Sequence, residues 1–281
     1  MSYIFLNLKR FDVPVKYGGV NKLAAPEVWG ASIISSIKIA GRKFPDTNFV
    51  CFLPEAHIIP AVSAAANINN LQIGCQSVYR EDTAVNGNFG AFTSNRTANS
   101  MKALSCAWTM IGHCEERRDK KEVISLGSGS DIDAINRILN LEIKCATGAG
   151  LKVLYCVGEG VGEVEKRDEV LRKQILGGFE GIDSKHNIII AYEPVWAIGP
   201  GKIPPGREYI VQTARLIKDI TDNLPVVYGG GLKLGNAAML ASIDEIDGAL
   251  IALTRFSDDI GFYPDEFIDI VARYLRTEEE S

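Results

Sequence analysis

Short apolar runs alternate along the chain with longer segments that carry charge on one side. Eight runs have the length of a buried strand, and they cover residues 3–8, 49–53, 71–76, 107–112, 152–157, 187–192, 224–228 and 248–251. Apolar side chains recur at helical spacing in the segments between them, which include residues 25–40, 132–149, 163–176 and 264–275. Eight strands alternating with helices predict an α/β fold, a single (β/α)8 barrel over residues 1–281.

Composition narrows the class of protein without naming a function. A chain of 281 residues that is 46% hydrophobic can bury the core of one such barrel. A net charge of −5 without a basic cluster argues against nucleic acid as the main partner. Six cysteines show no CxxC pair and no metal-ligand spacing, which predicts reduced thiols. We find no leader and no membrane-spanning run, so we expect a cytoplasmic protein without a membrane segment.

The segment AYEPVWAIGPGK at residues 191–202 carries the clearest candidate chemistry. A buried-looking strand ends here and delivers Glu193, and Pro194 then stops the strand. Stiff residues follow, with Gly199 and Gly201 near the end, which is the pattern of a hinged lid. A carboxylate beneath a closing lid is suited to act as a general base. The alternative is an ordinary strand-to-helix turn with a surface glutamate.

Other polar or glycine-rich positions also follow predicted strands. Asn7 and Lys9 come after the first strand, where an ammonium group can stabilise negative charge. His113 comes after the fourth strand at the start of a charged helical turn, and the helix dipole there favours a neutral imidazole. Taken singly, each is more often a surface residue. His57 follows the second strand, and we interpret it as a surface residue at a helix start with no chemistry.

Five motifs stand in an order that matches one enzyme family. They are GAFT at residues 90–93, IGHCE at 111–115, YCVGE at 155–159, the lid segment, and YGGG at 228–231 followed by Asn236. In these motifs the chain resembles triosephosphate isomerases over nearly its whole length. The resemblance implies a TIM barrel and an aldose–ketose isomerase of a small phosphorylated sugar. Most simply, it would interconvert glyceraldehyde 3-phosphate and dihydroxyacetone phosphate with no metal and no organic cofactor.

The resemblance also implies roles for the polar residues. Glu193 would carry a proton between adjacent carbon atoms of the sugar. Lys9 and a neutral His113 would stabilise the enediolate oxygens, and Asn7 would position them. Glu115 is the preferred match to the supporting glutamate of the family, because it keeps the spacing from His113, although Glu116 is a second candidate.

Departures from the family concentrate in the expected phosphate site. The resemblance implies that backbone groups of Gly199, Gly230, Gly231, Ala252 and Leu253 hold the phosphate. The family usually has a serine at the position of Gly231 and a glycine pair at residues 252 and 253. Leu253 would crowd a phosphate unless the loop takes another path. Arg255 would either replace the lost donors or remain a solvated charge.

Two loops and the end of the chain also depart from the family. The segments at about residues 10–23 and 80–89 are longer, and residues 276–281 predict a frayed acidic tail. In triosephosphate isomerases the loop that contains the second segment inserts into a neighbouring subunit. The resemblance therefore implies a homodimer with Thr93 near the site of the partner. The alternative is a flexible surface loop that pairs with nothing.

Two other functions fit the same residues. The altered loops would suit an isomerase of a larger ketose phosphate on the same scaffold. A damaged phosphate site would instead give a non-catalytic barrel that binds a phosphorylated metabolite. Retention of Asn7, Lys9, His113 and Glu193 together argues against the second alternative.

Overall fold

A closed barrel of eight parallel strands forms the centre of the protein. The computed structural model describes residues 2–127, 132–199 and 201–275. Each strand pairs in parallel with the next, and the eighth pairs with the first, so the predicted (β/α)8 barrel is confirmed. The strands are β1 (Ser2–Asn7), β2 (Thr47–Leu53), β3 (Leu71–Cys75), β4 (Trp108–Ile111), β5 (Lys152–Val157), β6 (Ile188–Tyr192), β7 (Val226–Tyr228) and β8 (Gly248–Ile251).

The α-helices lie on the connections between strands. They are α1 (Trp29–Lys43), α2 (Ile58–Ala65), α3 (Ala98–Ala103), α4 (Cys114–Leu126), α5 (Ile132–Gly148), α6 (Arg167–Gly178), α7 (Arg207–Thr221), α8 (Ala237–Ala241) and α9 (Pro264–Leu275). No helix among the described residues is long and apolar enough to cross a bilayer. The tail at residues 276–281, predicted to fray, lies outside the described part of the chain.

The strands are apolar on both faces because the barrel has two separate cores. Side chains such as Phe5, Trp108 and Leu154 fill the interior of the barrel. Neighbouring side chains such as Ile4 and Leu6 point outward and pack beneath the helices. A parallel strand buried on both faces reads as a continuous apolar run, which is why the sequence pattern located these strands.

The carboxyl ends of the strands bring the candidate residues to one rim. Asn7 is the last residue of β1, Glu193 directly follows β6, and His113 stands two residues after β4. The glycine turn at residues 229–231 follows β7 in the same way. In barrels of this architecture this rim carries the active site, whereas the opposite end contributes stability.

The loop at residues 10–23 is tied to the rest of the barrel by a buried pair. Asp12 and His57 are only 7% and 5% exposed, and His57 Nε2 lies 3.2 Å from Asp12 Oδ2. A bridge between Pro14 and Asn21 closes the loop on itself. The prediction that His57 is a surface residue is therefore wrong, because a carboxylate 45 positions away in the sequence supplies its partner.

Candidate active site

Glu193 is a buried carboxylate held by two contacts at the rim. It is 2% exposed, and its backbone N–H still donates to the Val157 carbonyl at 2.8 Å, as if β6 continued. The backbone N–H of Cys114 donates to Oε2 at 3.0 Å. Oε1 lies 3.2 Å from His113 Nε2. A carboxylate fixed this firmly, with one oxygen directed at the rim, is placed to accept a proton.

Two glycines make room for the backbone and the side chain of Glu193. A Cβ atom on Gly158 would lie 1.7 Å from the carbonyl oxygen of Glu193. A Cβ atom on Gly229 would lie 3.0 Å from Glu193 Cγ. The backbones after β5 and β7 therefore approach Glu193 as closely as only glycine permits.

His113 is fixed by the start of α4. It is the N-cap residue, and its Nδ1 accepts a hydrogen bond from the backbone N–H of Glu115 at 3.3 Å. A neutral imidazole that accepts at Nδ1 carries its proton at Nε2. The ring therefore presents an N–H donor to the same space that Glu193 Oε1 faces.

Lys9 is held at the rim by a left-handed turn. Its φ angle is 42°, and its backbone N–H donates to Asn7 Oδ1 at 3.0 Å. A lysine in this region is strained, and such strain persists only where neighbouring contacts enforce it. Lys9 Nζ lies 2.7 Å from Glu115 Oε1. Burial opposes ionisation of Glu115, but the Lys9 ammonium outweighs it and holds the pKa of that carboxyl below its usual value.

Gln76 is a positioning residue that the sequence analysis missed. Its amide donates to Asn7 Oδ1 at 3.2 Å and to the Lys9 carbonyl at 3.0 Å. Gln76 thus holds both Asn7 and the backbone of Lys9, the residue in the left-handed conformation. A glutamine after β3 has no special sequence signal, because its partners belong to another strand.

A cavity of about 410 Å³ opens beside these groups. Its lining residues include Asn7, Lys9, His113 and Glu115, together with Phe11 of the loop at residues 10–23. A space of this size accommodates a small metabolite. The cavity therefore places the Lys9 ammonium, the His113 imidazole and the Glu115 carboxylate within reach of one ligand. Glu193 is not among the lining residues; it contacts the lining residue His113, with Oε1 3.2 Å from Nε2.

The lid is anchored at its first end by Glu159, which the sequence analysis assigned no role. Glu159 is fully buried, and its Oε1 accepts hydrogen bonds from Trp196 Nε1 at 2.7 Å and from the hydroxyls of Tyr192 and Tyr209, both at 2.9 Å. At the other end Gly199 adopts a φ of 116°. One end is thus fixed by a buried carboxylate and the other is conformationally free.

The expected phosphate loops contain one tight position and one open position. A Cβ atom on Gly230 would lie 2.1 Å from the Tyr228 hydroxyl, so this glycine serves close packing. Gly231 has a φ of 91°, and a Cβ atom there would meet only Lys233 Cε, at 3.9 Å. Ala252 and Leu253 follow β8 and are half-buried. The guanidinium of Arg255 pairs with Glu266, with Nε 3.0 Å from Oε1, so it is already engaged.

Comparison with known proteins identifies the family. A sequence model described as triosephosphate isomerase matches residues 30–272. The chain belongs to the triosephosphate isomerase family. It is 31% identical over 206 residues to the triosephosphate isomerase of Alkaliphilus oremlandii, covering 69% of this chain and 76% of that protein. It is 31% identical over 244 residues to that of Syntrophotalea carbinolica, covering 82% and 88%.

A solved structure agrees with the barrel. The crystal structure of triosephosphate isomerase from Bartonella henselae superimposes with a TM-score of 0.70 at 23% identity, covering 98% of this chain and 99% of that one. At this identity the likeness establishes the fold. The match to the family model begins at residue 30 and therefore does not include Asn7 and Lys9. Their position at the rim follows from β1, which ends at Asn7, and from the turn after it.

A buried cluster of charged residues contacts the backbone next to His113. Lys120 Nζ contacts Glu116 Oε1 at 3.0 Å and Glu142 Oε1 at 2.9 Å. Glu116 Oε2 in turn accepts a hydrogen bond from the backbone N–H of Gly112, the residue before His113, at 2.6 Å. One ammonium cannot neutralise two buried carboxylates. Burial first, and then the charge of Glu116, raise the pKa of Glu142 to about 8.

This cluster predicts a pH-dependent stability. Folded Glu142 retains a proton between its ordinary pKa of 4.5 and about 8, whereas the unfolded chain has lost it. The stability contributed by Glu142 is therefore complete below the lower value and is lost as the pH rises through the upper one. We expect Glu142→Gln, which cannot titrate, to gain about 3 kcal/mol relative to wild type between about pH 5.5 and 8.5, because about 2.5 pH units at about 1.4 kcal/mol each separate the lower pH from the folded pKa. Denaturant unfolding at several pH values measures the free energy of unfolding of both proteins. A difference between them that does not change with pH would refute the proposal that folded Glu142 retains its proton.

Proposed function

We propose that this protein interconverts glyceraldehyde 3-phosphate and dihydroxyacetone phosphate. The observation that carries the proposal is the 3.2 Å approach of the Glu193 carboxylate to His113 Nε2 at the rim of the barrel. Lys9 lies at the same cavity and supplies a positive charge. Membership in the family, shown by the match to residues 30–272, supports the same reaction.

In the proposed reaction the proton moves and the electrons stay within the substrate. Glu193 removes a proton from the carbon next to the carbonyl, and the carbonyl oxygen gains the negative charge of an enediolate. The Lys9 ammonium and the His113 Nε2–H stabilise that charge where it develops. Glu193 then returns a proton to the neighbouring carbon, and the hydroxyl proton of the substrate passes to the former carbonyl oxygen, so that the new carbonyl forms on the other carbon. Because the reaction is a proton transfer between adjacent atoms, it needs only a base and an electrophile.

A coupled assay tests the substrate. We expect turnover of glyceraldehyde 3-phosphate, monitored through reduction of the dihydroxyacetone phosphate formed. Ketose phosphates of four and five carbon atoms should give a kcat/KM at least about 100-fold lower, because only the triose matches the proposed site. Higher efficiency with a longer sugar would favour the larger-substrate alternative. Binding of phosphoglycolate without turnover of any sugar would favour the non-catalytic barrel.

Lys233 supports phosphate binding where the family cradle is altered. The loops after β7 and β8 commonly hold phosphate in this architecture. Lys233 Nζ lies 4.0 Å from the ring centre of Phe256, so it joins the two loops. Its Cε would lie 3.9 Å from a Cβ atom on Gly231. Among the described residues Lys233 forms no ion pair, whereas Arg255 pairs with Glu266. Of the two cations described on these loops, Lys233 is therefore the one without a carboxylate partner and the better candidate to meet a phosphate.

Replacing this cation should weaken substrate binding. We expect Lys233→Met to raise KM for glyceraldehyde 3-phosphate about tenfold, the scale of one charge-assisted hydrogen bond, with a smaller change in kcat. The matched control is Arg255→Gln, which should leave KM within about twofold. Steady-state kinetics of the two variants decides between them. If Arg255→Gln raises KM and Lys233→Met does not, the assignment of the phosphate cation is reversed.

We further propose that the protein is a cytoplasmic homodimer. The loop at residues 78–97 exposes two large apolar side chains, Val85 at 95% and Phe89 at 92%. Such a tip suits burial against a second copy. Thr93 is exposed on the same loop, which the family resemblance places near the cavity of the partner. All six cysteines are free thiols, which supports a reducing compartment.

The dimer has a direct test. Wild type should sediment as a dimer, and Phe89→Asp should shift the population toward monomer and lower kcat. Tyr17→Asp is the matched control, because Tyr17 is a 72% exposed aromatic residue on the other long loop. Sedimentation of wild type as a monomer at assay concentration would refute this assembly.

A further inference from the structure

Three metal-ligating side chains meet at the rim, and the proposed mechanism uses only two of them. His113, Cys114 and Glu193 each offer a ligand atom, and these atoms lie within 4.8 Å of one another. We propose that they form a binding site for a thiophilic divalent cation such as Zn²⁺, and that the bound cation blocks catalysis. Binding stands on the geometry alone, whereas inhibition rests on the proposed isomerase function.

The separations suit a tetrahedral cation. Usual zinc-to-ligand bond lengths place a nitrogen and an oxygen ligand about 3.3 Å apart and a sulfur and a nitrogen about 3.6 Å apart. Here His113 Nε2 and Glu193 Oε1 are 3.2 Å apart, and Cys114 Sγ is 3.9 Å from Nε2. The sulfur is also 3.9 Å from Nδ1, so binding requires the Cys114 side chain to rotate toward Nε2. Three protein ligands leave the fourth position to water.

Neighbouring groups orient these ligands. The backbone N–H of Cys114 holds Glu193 Oε2 at 3.0 Å and leaves Oε1 directed at the imidazole. When Nε2 binds a cation, the ring proton moves to Nδ1, so the 3.3 Å hydrogen bond from the Glu115 backbone N–H must break and Glu115 Oε2 must approach from 3.7 Å to accept the proton. A carboxylate behind a metal-binding histidine is the usual supporting partner. Lys9 does not repel the cation strongly, because Glu115 neutralises its charge at 2.7 Å.

Forming the sulfur–metal bond converts the Cys114 thiol into a bound thiolate and releases its proton to solvent. The thiolate and the Glu193 carboxylate together balance the two charges of the cation.

A cation bound at this site prevents Glu193 and His113 from acting in the proposed reaction. A carboxylate oxygen bound to a cation is a much weaker base, and an imidazole bound through Nε2 has no N–H to donate there. His113 lines the cavity beside Lys9, which gives the cation a path from solvent. The soft thiolate favours Zn²⁺ over Mg²⁺, which prefers oxygen ligands.

Titration of activity with Zn²⁺ tests inhibition. We expect Zn²⁺ to inhibit wild type and a chelator to restore its rate, while Mg²⁺ at the same concentration has no effect. Cys114→Ser, scaled to its own uninhibited rate, should need at least about tenfold more Zn²⁺. Cys145→Ser is the matched control, since Cys145 is a half-buried thiol elsewhere, and should behave as wild type. Equal Zn²⁺ sensitivity of wild type and Cys114→Ser would overturn the proposal.

A spectroscopic measurement separates the site from the activity. Added Co²⁺ should give a thiolate-to-metal charge-transfer band in wild type and in Cys145→Ser but not in Cys114→Ser or Cys114→Ala, all checked for native circular dichroism. Absence of the band in wild type would overturn the site. A clear band in a protein without isomerase activity would leave the site standing and overturn the proposed function instead.

Discussion

Glu193→Gln is expected to lower kcat for glyceraldehyde 3-phosphate by about 10³- to 10⁴-fold, the upper scale for loss of a general base. The amide oxygen can still accept the hydrogen bond that the backbone N–H of Cys114 donates at 3.0 Å, so the side chain keeps its place. What the variant loses is the ability to take a proton from carbon. KM should change little, because Glu193 acts on the proton rather than on the phosphate.

The stability of Glu193→Gln and a matched control variant show whether the loss of activity comes from the missing base or from a disturbed fold. The free energy of unfolding of Glu193→Gln should fall by no more than about 1–2 kcal/mol, since the shape and the Cys114 hydrogen bond are retained and only the contact with His113 Nε2 is lost. Glu122→Gln on the exposed face of α4 makes the same chemical change at a solvated position and should keep wild-type kinetics. A Glu193→Gln enzyme with near-normal turnover would remove Glu193 from the mechanism.

Lys9→Met is expected to lower kcat/KM by about 10²- to 10³-fold, the scale of losing one group that stabilises a developing oxyanion. Methionine retains much of the apolar stem and removes the ammonium, which lies 2.7 Å from Glu115 Oε1. The effect should appear in both kcat and KM, because the charge attracts the substrate and stabilises the enediolate. Steady-state kinetics across a range of salt concentrations measures both parts.

Lys9→Arg sharpens this test. Arginine keeps the positive charge, so partial recovery of KM relative to Lys9→Met is expected. Its guanidinium is larger and planar and cannot take the position of the compact ammonium, so kcat should not recover. Unchanged kcat and KM in Lys9→Met would exclude Lys9 from the site. Lys16→Met, on the long loop beside Tyr17, is the control for loss of one positive charge and should leave both constants unchanged.

The barrel could be predicted from the sequence because its strands are local apolar runs. The positions of Glu193 and His113 at the rim could also be predicted, since Glu193 directly follows a strand, His113 stands two residues after one, and the rim of a barrel collects such positions. Helix boundaries were less exact: residues 25–40 were predicted, whereas α1 spans Trp29–Lys43. A turn precedes it, in which the Val28 N–H donates to the Ala25 carbonyl, and apolar spacing does not reveal a turn of this kind.

Contacts between distant segments could not be predicted. His57 is buried against Asp12, and Glu159 gathers donors from β6, the lid and α7. Gln76 fixes the Lys9 turn from another strand. In each case the polar residue has an ordinary local sequence, and its role is set by a partner that only the closed barrel brings near.

Solvent deuterium incorporation, followed by nuclear magnetic resonance, tests the central claim most directly. Wild type turning over triose phosphate in D₂O should place deuterium on the carbon atoms between which Glu193 moves the proton, because a carboxylate exchanges its proton with solvent. Glu193→Gln should show neither exchange nor isomerisation above background. Deuterium entering the sugar at the wild-type rate in Glu193→Gln would contradict the account.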